Sequence, residues 1–480
     1  MLESDRYRPV MSTVRAREMI AGHWAALRGD ADLTDRVAFA RNAAGEEWFR
    51  LLPAVYDVPA FAAATIGTAL LAVAELGAAR SGRDVETVTV DVAEAVAAFR
   101  SEALQRPVGW SLPPIWDPVA GVYATADGWI RLHTNYSYHR AAALGVLGIA
   151  DDGRVDRALV ADAVRAFAGD DLERAVVEAG GCAAVARTRT DWKAHGHGCF
   201  AVLERPVDLG PADGAGDPGV RLAEPPSPGQ PLSGVRVLDL TRVIAGPVAT
   251  RTLGAWGADV LRIDPPGFVE VPAAVPDTLV GKRSAALDLR SRRAVFLELV
   301  AGADVLVHGL RPGALAGLGF GADALRAVNP GLVEVAVDAY GWAGPWAGRR
   351  GFDSLVQFSS GIALETGTSD GPGALPAQAL DHGTGYLLAA AACRGLTELL
   401  AGRGPGIARG SLVGSANVLM QQRISPDELD REPVAVEPVL ESRPTAWGEL
   451  LAVPPPGRIG AARGAWPVDA GPVGRHEPTW

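Results

Sequence analysis

Lysine is nearly absent: the 480-residue chain has two, Lys193 and Lys282, among 45 basic residues. Such an arginine bias reflects genome composition, and it draws attention to any lysine that is kept. Positive charge is in short supply overall. A net charge of -11 leaves no broad basic face and excludes a general nucleic-acid binder, so an anionic ligand would need a local basic site. Cysteine is scarce as well. Cys182, Cys199 and Cys393 lie far apart with no C-x-x-C spacing, which argues against a disulfide framework or zinc site and leads to the expectation of a reduced, cytoplasmic protein. The first ten residues, MLESDRYRPV, lack the apolar run of an export signal. The most apolar stretch, AFAAATIGTALLAVAELG, is broken by Glu75 and followed by Arg80, so a buried core helix is expected there and no membrane span. His195 and His197, in KAHGHGC, have no acidic partner at ligand spacing, so a loop is expected and no metal.

The length allows two or three domains. From about 206 to 233 the chain is rich in Pro, Gly and Asp without helical or strand period, and reads as a linker. Beyond it the pattern is α/β. VRVLDL (235–240), ADVLRID (258–264), SAALDL (284–289), DVLVHGL (304–310) and LVEVAVDAYG (332–341) read as buried strands separated by helical segments. This pattern predicts a Rossmann-like, doubly wound parallel sheet over 234–423. No G-x-G-x-x-G follows the first of these strands, so a dinucleotide redox cofactor has no support. Residues 1–205 read as a smaller α+β region: a charged helical segment over 13–50, a small-residue helix over 60–80, and a hairpin in GVYATADGWIRLHTN turning at Asp127-Gly128. The Pro/Gly-rich extension 424–480 is expected to wrap over the surface.

One acid stands out. In ALDHGTGYLLAAAACRGLTELL (379–400) a single carboxylate, Asp381, opens an apolar helix. It could cap that helix, or the helix dipole could hold it ready as a nucleophile. His382 follows directly, but adjacent helical residues point in different directions, so a packing role is expected for it. A weak echo of this helix occurs in AFAAATIGTALLAVAELGAARSGR, which offers no acid at its start.

Taken in order, PLSGVRVLDLTRVIAGPVATRTLGAWGADVLRIDPPG, GKRSAALDL, ADVLVHGLRPGALAGLGF, NPGLVEVAVDAYGWAGPWAGRRGFDSLVQFSSG and ALDHGTGYL resemble the class III CoA-transferases, the CaiB/BaiF family, over roughly 231–415. YATADGWIRLHTN and RTRTDWKAHGHGCFAVLERP resemble small-domain segments that in the family follow the Asp helix. The order here is therefore rearranged, with small-domain material first. The resemblance implies a CoA-transferase with acyl-CoA as substrate, no metal or redox cofactor, and a homodimer. It implies that Asp381 attacks the acyl-CoA carbonyl to give a mixed anhydride. It also implies CoA contacts at Lys282, Arg283, Arg311, Arg242 and Arg349 of the Arg349-Arg350 pair. Gly383, Gly385 and the Gly371-Pro372-Gly373 run are candidates for the backbone donors an oxyanion needs. Two alternatives stand beside the transferase: a CoA-binding homologue without catalysis, and an α-methylacyl-CoA racemase. The racemase resemblance lacks its helix His, because GFDSLVQFSSG has Phe352, Asp353 and Ser354 there.

Overall fold

Short runs of Val, Leu and Ile bounded by Gly or Asp become the inner strands of a seven-stranded sheet in the computed structural model. The residues it describes are 11–40, 44–45, 47–210, 222, 224–404 and 406–480. The reading of the first ten residues and the middle of the linker (211–221 and 223) lie outside them. The strands are β1 (Val207–Leu209), β2 (Arg236–Leu240), β3 (Asp259–Asp264), β4 (Arg283–Ala286), β5 (Val305–His308), β6 (Val333–Asp338) and β7 (Ile407–Ser411). Their order is β4-β3-β2-β5-β6-β7-β1. Strands β2 to β7 are parallel and β1 closes one edge antiparallel. The winding runs outward from β2 to β4, then restarts on the other side with β5. That reversal between β2 and β5 is the usual position for a ligand crevice in a doubly wound sheet.

Both faces of the sheet are covered, as a parallel sheet requires. Val237, Val305, Val307, Val333 and Val335 face one core, and Leu238, Leu261, Ile263 and Leu306 face the other. The helices of the first core include α1 (Ser12–Ala26), α2 (Val58–Ser81), α3 (Ala245–Ala255), α4 (Asp353–Ser360) and α5 (Ala379–Leu400). Helices α2 and α5 run side by side in the same direction. Gly383 gives Phe61 its space near one end, where a Cβ would stand 2.2 Å from the ring, and Arg394 reaches Glu75 at 2.7 Å near the other. By length and composition α2 could cross a membrane, yet 94% of its apolar window is buried inside the fold. It is the core helix the sequence suggested.

Four expectations need correction. Among the described residues the charged segment 13–50 is α-helical only in α1, and continues as a 3-10 helix (Ala31–Arg36), a strand (Val37–Phe39) and a second 3-10 helix (Trp48–Leu51). The division at 205 does not separate cores, because residues of α1, α2 and Val92–Ala98 share one hydrophobic cluster with the sheet. Residues 207–209, inside the expected linker, form β1. The C-terminal extension is woven in and not laid on the surface. Its hairpin Glu441–Thr445/Gly448–Ala452 pairs with Arg106–Val108, and Arg458–Ile459 pairs with Val88–Val90. The hairpin Gly121–Ala124/Trp129–Leu132 is where the sequence put it, joined by Ala183–Val185 over a separate small core. Its turn is fixed by Asp127, whose carboxylate accepts from the Gly169 N–H at 2.8 Å.

Candidate active site

Asp381 is the third residue of α5, in the turn whose backbone N–H groups have no helical partner. It does not cap them. The cap is Asp353, from the start of α4, whose Oδ2 accepts from the Leu380 N–H at 2.8 Å and the Asp381 N–H at 3.0 Å. Gln357, one turn further along α4, donates to the other Asp353 oxygen. Asp381 is 7% exposed as a residue, and no hydrogen-bond donor reaches its carboxylate among the described residues. Burial pushes its pKa well above the usual carboxylate range, and the charges of Asp353 and then Glu102 push it the same way. Asp353 is also pushed up, by burial, against the opposing bonds from Gln357 and the helix N–H groups.

Two cavities meet at Asp381. The first, about 380 Å³, and the second, about 410 Å³, share Val243, Phe352 and Asp381 as lining residues. The first opens at the carboxyl ends of β2, β5 and β6, beside Leu240, Gly309 and Asp338, where the strand order reverses. The wall between the cavities carries backbone strain. Val243 has φ 67°, a region β-branched residues avoid at a cost of about 1–3 kcal/mol. Its N–H donates to Glu270 Oε2 at 3.2 Å, which helps hold the strained turn in place.

The expected CoA contacts divide. Arg242, Arg311 and Arg349 line the first cavity, together with Arg350. Arg311 is exposed. Arg242 lies over the Phe268 ring at 3.9 Å, with its Nε 3.6 Å from Asp264. Arg349 is engaged by Glu173 at 2.9 Å and the Ala183 carbonyl at 2.7 Å, and lies over the Trp346 ring at 3.8 Å. Lys282 and Arg283 are elsewhere, which corrects the expectation that they flank the ligand. Arg283 opens β4 and Lys282 immediately precedes it, at the amino end of the strand, whereas the cavity lies at the carboxyl ends. Lys282 is fully enclosed, donating to Asp239 at 3.2 Å and the Pro247 carbonyl at 3.0 Å, and burial pulls its ammonium down to about 8. It joins β2 to α3. Arg283 pairs with Asp259 at 2.9 Å and donates to the Thr479 carbonyl at 2.6 Å.

Other sequence candidates have structural roles. His382 bonds Glu102 at 2.9 Å and stacks on Phe99. His197 contacts the Tyr340 carbonyl at 2.8 Å and accepts from the Trp346 N–H at 3.1 Å. No group of three His, Cys, Asp or Glu side chains is placed to hold a metal among the described residues. Gly383 and Gly385 admit close packing, since a Cβ on Gly385 would stand 2.5 Å from the Ala245 carbonyl. Sequence reading passed over Asp353, noting only that no His stood beside it, and missed Glu102 and the second cavity. An acid four residues before Gln357, on a helix following a Gly-Phe pair, was the available signal for Asp353.

With this geometry in view, the comparison with known proteins is specific. Residues 232–434 match the profile of CoA-transferase family III, and this region belongs to that family. Among similar proteins, an acetyl-CoA:oxalate CoA-transferase of Acetobacter aceti is 38% identical over 161 residues, 31% of this chain and 41% of that one. A probable fatty acyl-CoA transferase of Mycobacterium tuberculosis is 35% identical over 182 residues, 34% and 46% of the two chains. The mouse (Mus musculus) succinyl-CoA:glutarate CoA-transferase is 34% identical over 184 residues, 35% and 42%. The chain thus spans less than half the length of these curated relatives. A crystal structure of Rv3272 from Mycobacterium tuberculosis aligns at 33% identity and a TM-score of 0.37, over 41% of this chain and 59% of that one.

Proposed function

We propose that this protein is a CoA-transferase that moves CoA between carboxylic acids through an acyl-aspartyl anhydride on Asp381. The observation that carries the reading is a buried carboxylate with no donor of its own among the described residues, at the junction of two cavities. The basic first cavity suits the phosphates of CoA, with Arg242 and Arg311 beside the strand ends. The second cavity, on the other side of Phe352 and Val243, suits the acyl group.

In the first step an Asp381 oxygen bonds the thioester carbonyl carbon, the C–S bond breaks, and CoA leaves as thiolate. The thiolate then attacks the Asp381 carbonyl, releasing the first acid as carboxylate and leaving an aspartyl-CoA thioester. The acceptor carboxylate attacks that thioester, expels the thiolate again and forms the second anhydride. The thiolate takes the new acyl group and Asp381 is restored. Every intermediate is an activated acyl group, so no step loses much driving force. Asp381 must be ionised to attack, so the raised pKa makes turnover increase with pH through that ionisation. Asp353 keeps the nucleophile's backbone fixed by capping its helix from another element. The reading includes a cytoplasmic homodimer, the common assembly for soluble enzymes.

The test is mass analysis after incubation with a panel of acyl-CoAs and a hydroxylamine quench. Asp381-dependent acyl hydroxamate, or a hydroxamate on Asp381, is expected, and neither should form with Asp381→Asn. Binding of CoA thioesters without CoA release or adduct would leave a non-catalytic CoA-binding protein.

A further inference from the structure

The second cavity has a chemical character that its position alone does not dictate. Fourteen of its 21 lining residues are Ala, Val, Leu, Ile, Pro, Phe or Trp. One side is aromatic: His133 stacks on Phe352 with ring centres 3.7 Å apart and meets the edge of Trp116 at 5.7 Å. His133 is enclosed, and burial pushes it well below its ordinary pKa, so it adds no positive charge. The ionisable groups of the lining besides His133 are the Glu102 and Asp381 carboxyls and the Arg100 guanidinium, which is two residues from Glu102 in sequence. Arg131 lies over the Trp116 ring at 4.9 Å and does not line the cavity. A second carboxylate on the acyl group would lose its water here and face two acids with one cation to answer them. Neutral polar capacity is present instead. Gln105 Oε1 and His133 Nδ1 are buried and unpartnered among the described residues. Gln105 spends both amide hydrogens on the Ala273 and Glu102 carbonyls, so its oxygen can only accept.

We infer that the second cavity takes an uncharged, apolar acyl group, aromatic or branched and able to carry a hydroxyl, and that it rejects dicarboxylic acyl groups. This rests on the transferase reading of Asp381 and goes beyond it by naming the class of acid. It also sets this chain apart from relatives whose names specify oxalate or glutarate.

The experiment compares phenylacetyl-CoA and isovaleryl-CoA with succinyl-CoA and glutaryl-CoA on the whole protein, by kcat/KM for Asp381-dependent hydroxamate formation. The uncharged thioesters should lead by at least about tenfold, a modest penalty for a buried unpaired carboxylate. Equal rates, or a lead for succinyl-CoA, would overturn the assignment. Leu112→Arg adds a cation to a half-buried wall position and should narrow the gap about tenfold, since pairing offsets the burial of charge. An unchanged ratio, in Leu112→Arg and in Ile115→Arg alike, would overturn the location. Should no thioester react, the transferase reading fails by itself. Calorimetric affinities of the same four thioesters for Asp381→Asn protein then decide the cavity's preference without any chemistry. Tighter binding of the uncharged pair upholds it, and equal or reversed order ends it.

Discussion

Helices α2 and α5 lie side by side, both rich in small residues, and each has a buried aspartate at its start. Asp57, the N-cap of α2, accepts from the Ala60 N–H at 3.0 Å, Ser12 Oγ at 2.7 Å and Arg15 Nη1 at 3.1 Å. Asp381 accepts from nothing among the described residues and has two more carboxylates for neighbours. Burial pushes both pKa values up. At Asp57 three donors oppose the push, and at Asp381 like charges add to it. The two acids are both hidden, and the supply of donors separates one that holds the fold together from one available to react.

The comparison can be broken most sharply by removing each acid. Asp57→Ala strips the cap from α2 and leaves Arg15 buried without its partner, so a loss of about 3–5 kcal/mol is expected. Asp381→Asn should cost nothing or stabilise at neutral pH, since it removes an uncompensated carboxylate. Urea unfolding of both variants measures the contrast, and equal losses would end it. A smaller effect is expected at the neighbour that sets the charge. Asp353→Asn keeps an acceptor for the helix N–H groups and removes a negative charge, so the pH profile of turnover should move to lower pH. The same pair governs stability in a fixed direction. Their folded pKa values are raised, so the stability they contribute is complete below the ordinary carboxylate pKa of about 4 and is lost as pH rises through the folded values. Wild type should lose stability over that window more steeply than Asp353→Asn. The smallest effect concerns the arginines. Arg311→Ala should weaken CoA binding by about 1 kcal/mol, roughly fivefold, as expected for one exposed charge contact. Arg283→Ala, at the far end of the sheet, should leave CoA affinity unchanged, and titration calorimetry reads both.

The inner sheet was legible because buried parallel strands must be continuous apolar runs, and the five that were read match β2 to β6 to within a few residues. Strand β7 is IARGS, with Arg409 and Gly410 in it, and no apolar run announces it. Strand β1 is three residues in a Pro/Gly-rich context. Asp381 was legible as an acid opening an apolar helix. Its partners were not, because the cap from Asp353 and the charge of Glu102 arrive through tertiary packing. The rarity of lysine marked Lys282, which answers the buried Asp239 and lines neither cavity. The second cavity has no local signature, since its walls come from segments around 100–116, 133–135, 243–244, 271–274 and 375–381, with Phe352.

The C-terminal hairpin touches neither cavity, yet it frames one of them. Gly448–Ala452 pairs with Arg106–Val108, and Trp447 stacks on Trp110. From there the chain runs straight into Leu112, Pro113, Ile115 and Trp116, which wall the second cavity. The wall of a cavity near the middle of the fold is thus anchored by a strand pairing more than three hundred residues away in sequence, with no hairpin side chain among the lining residues.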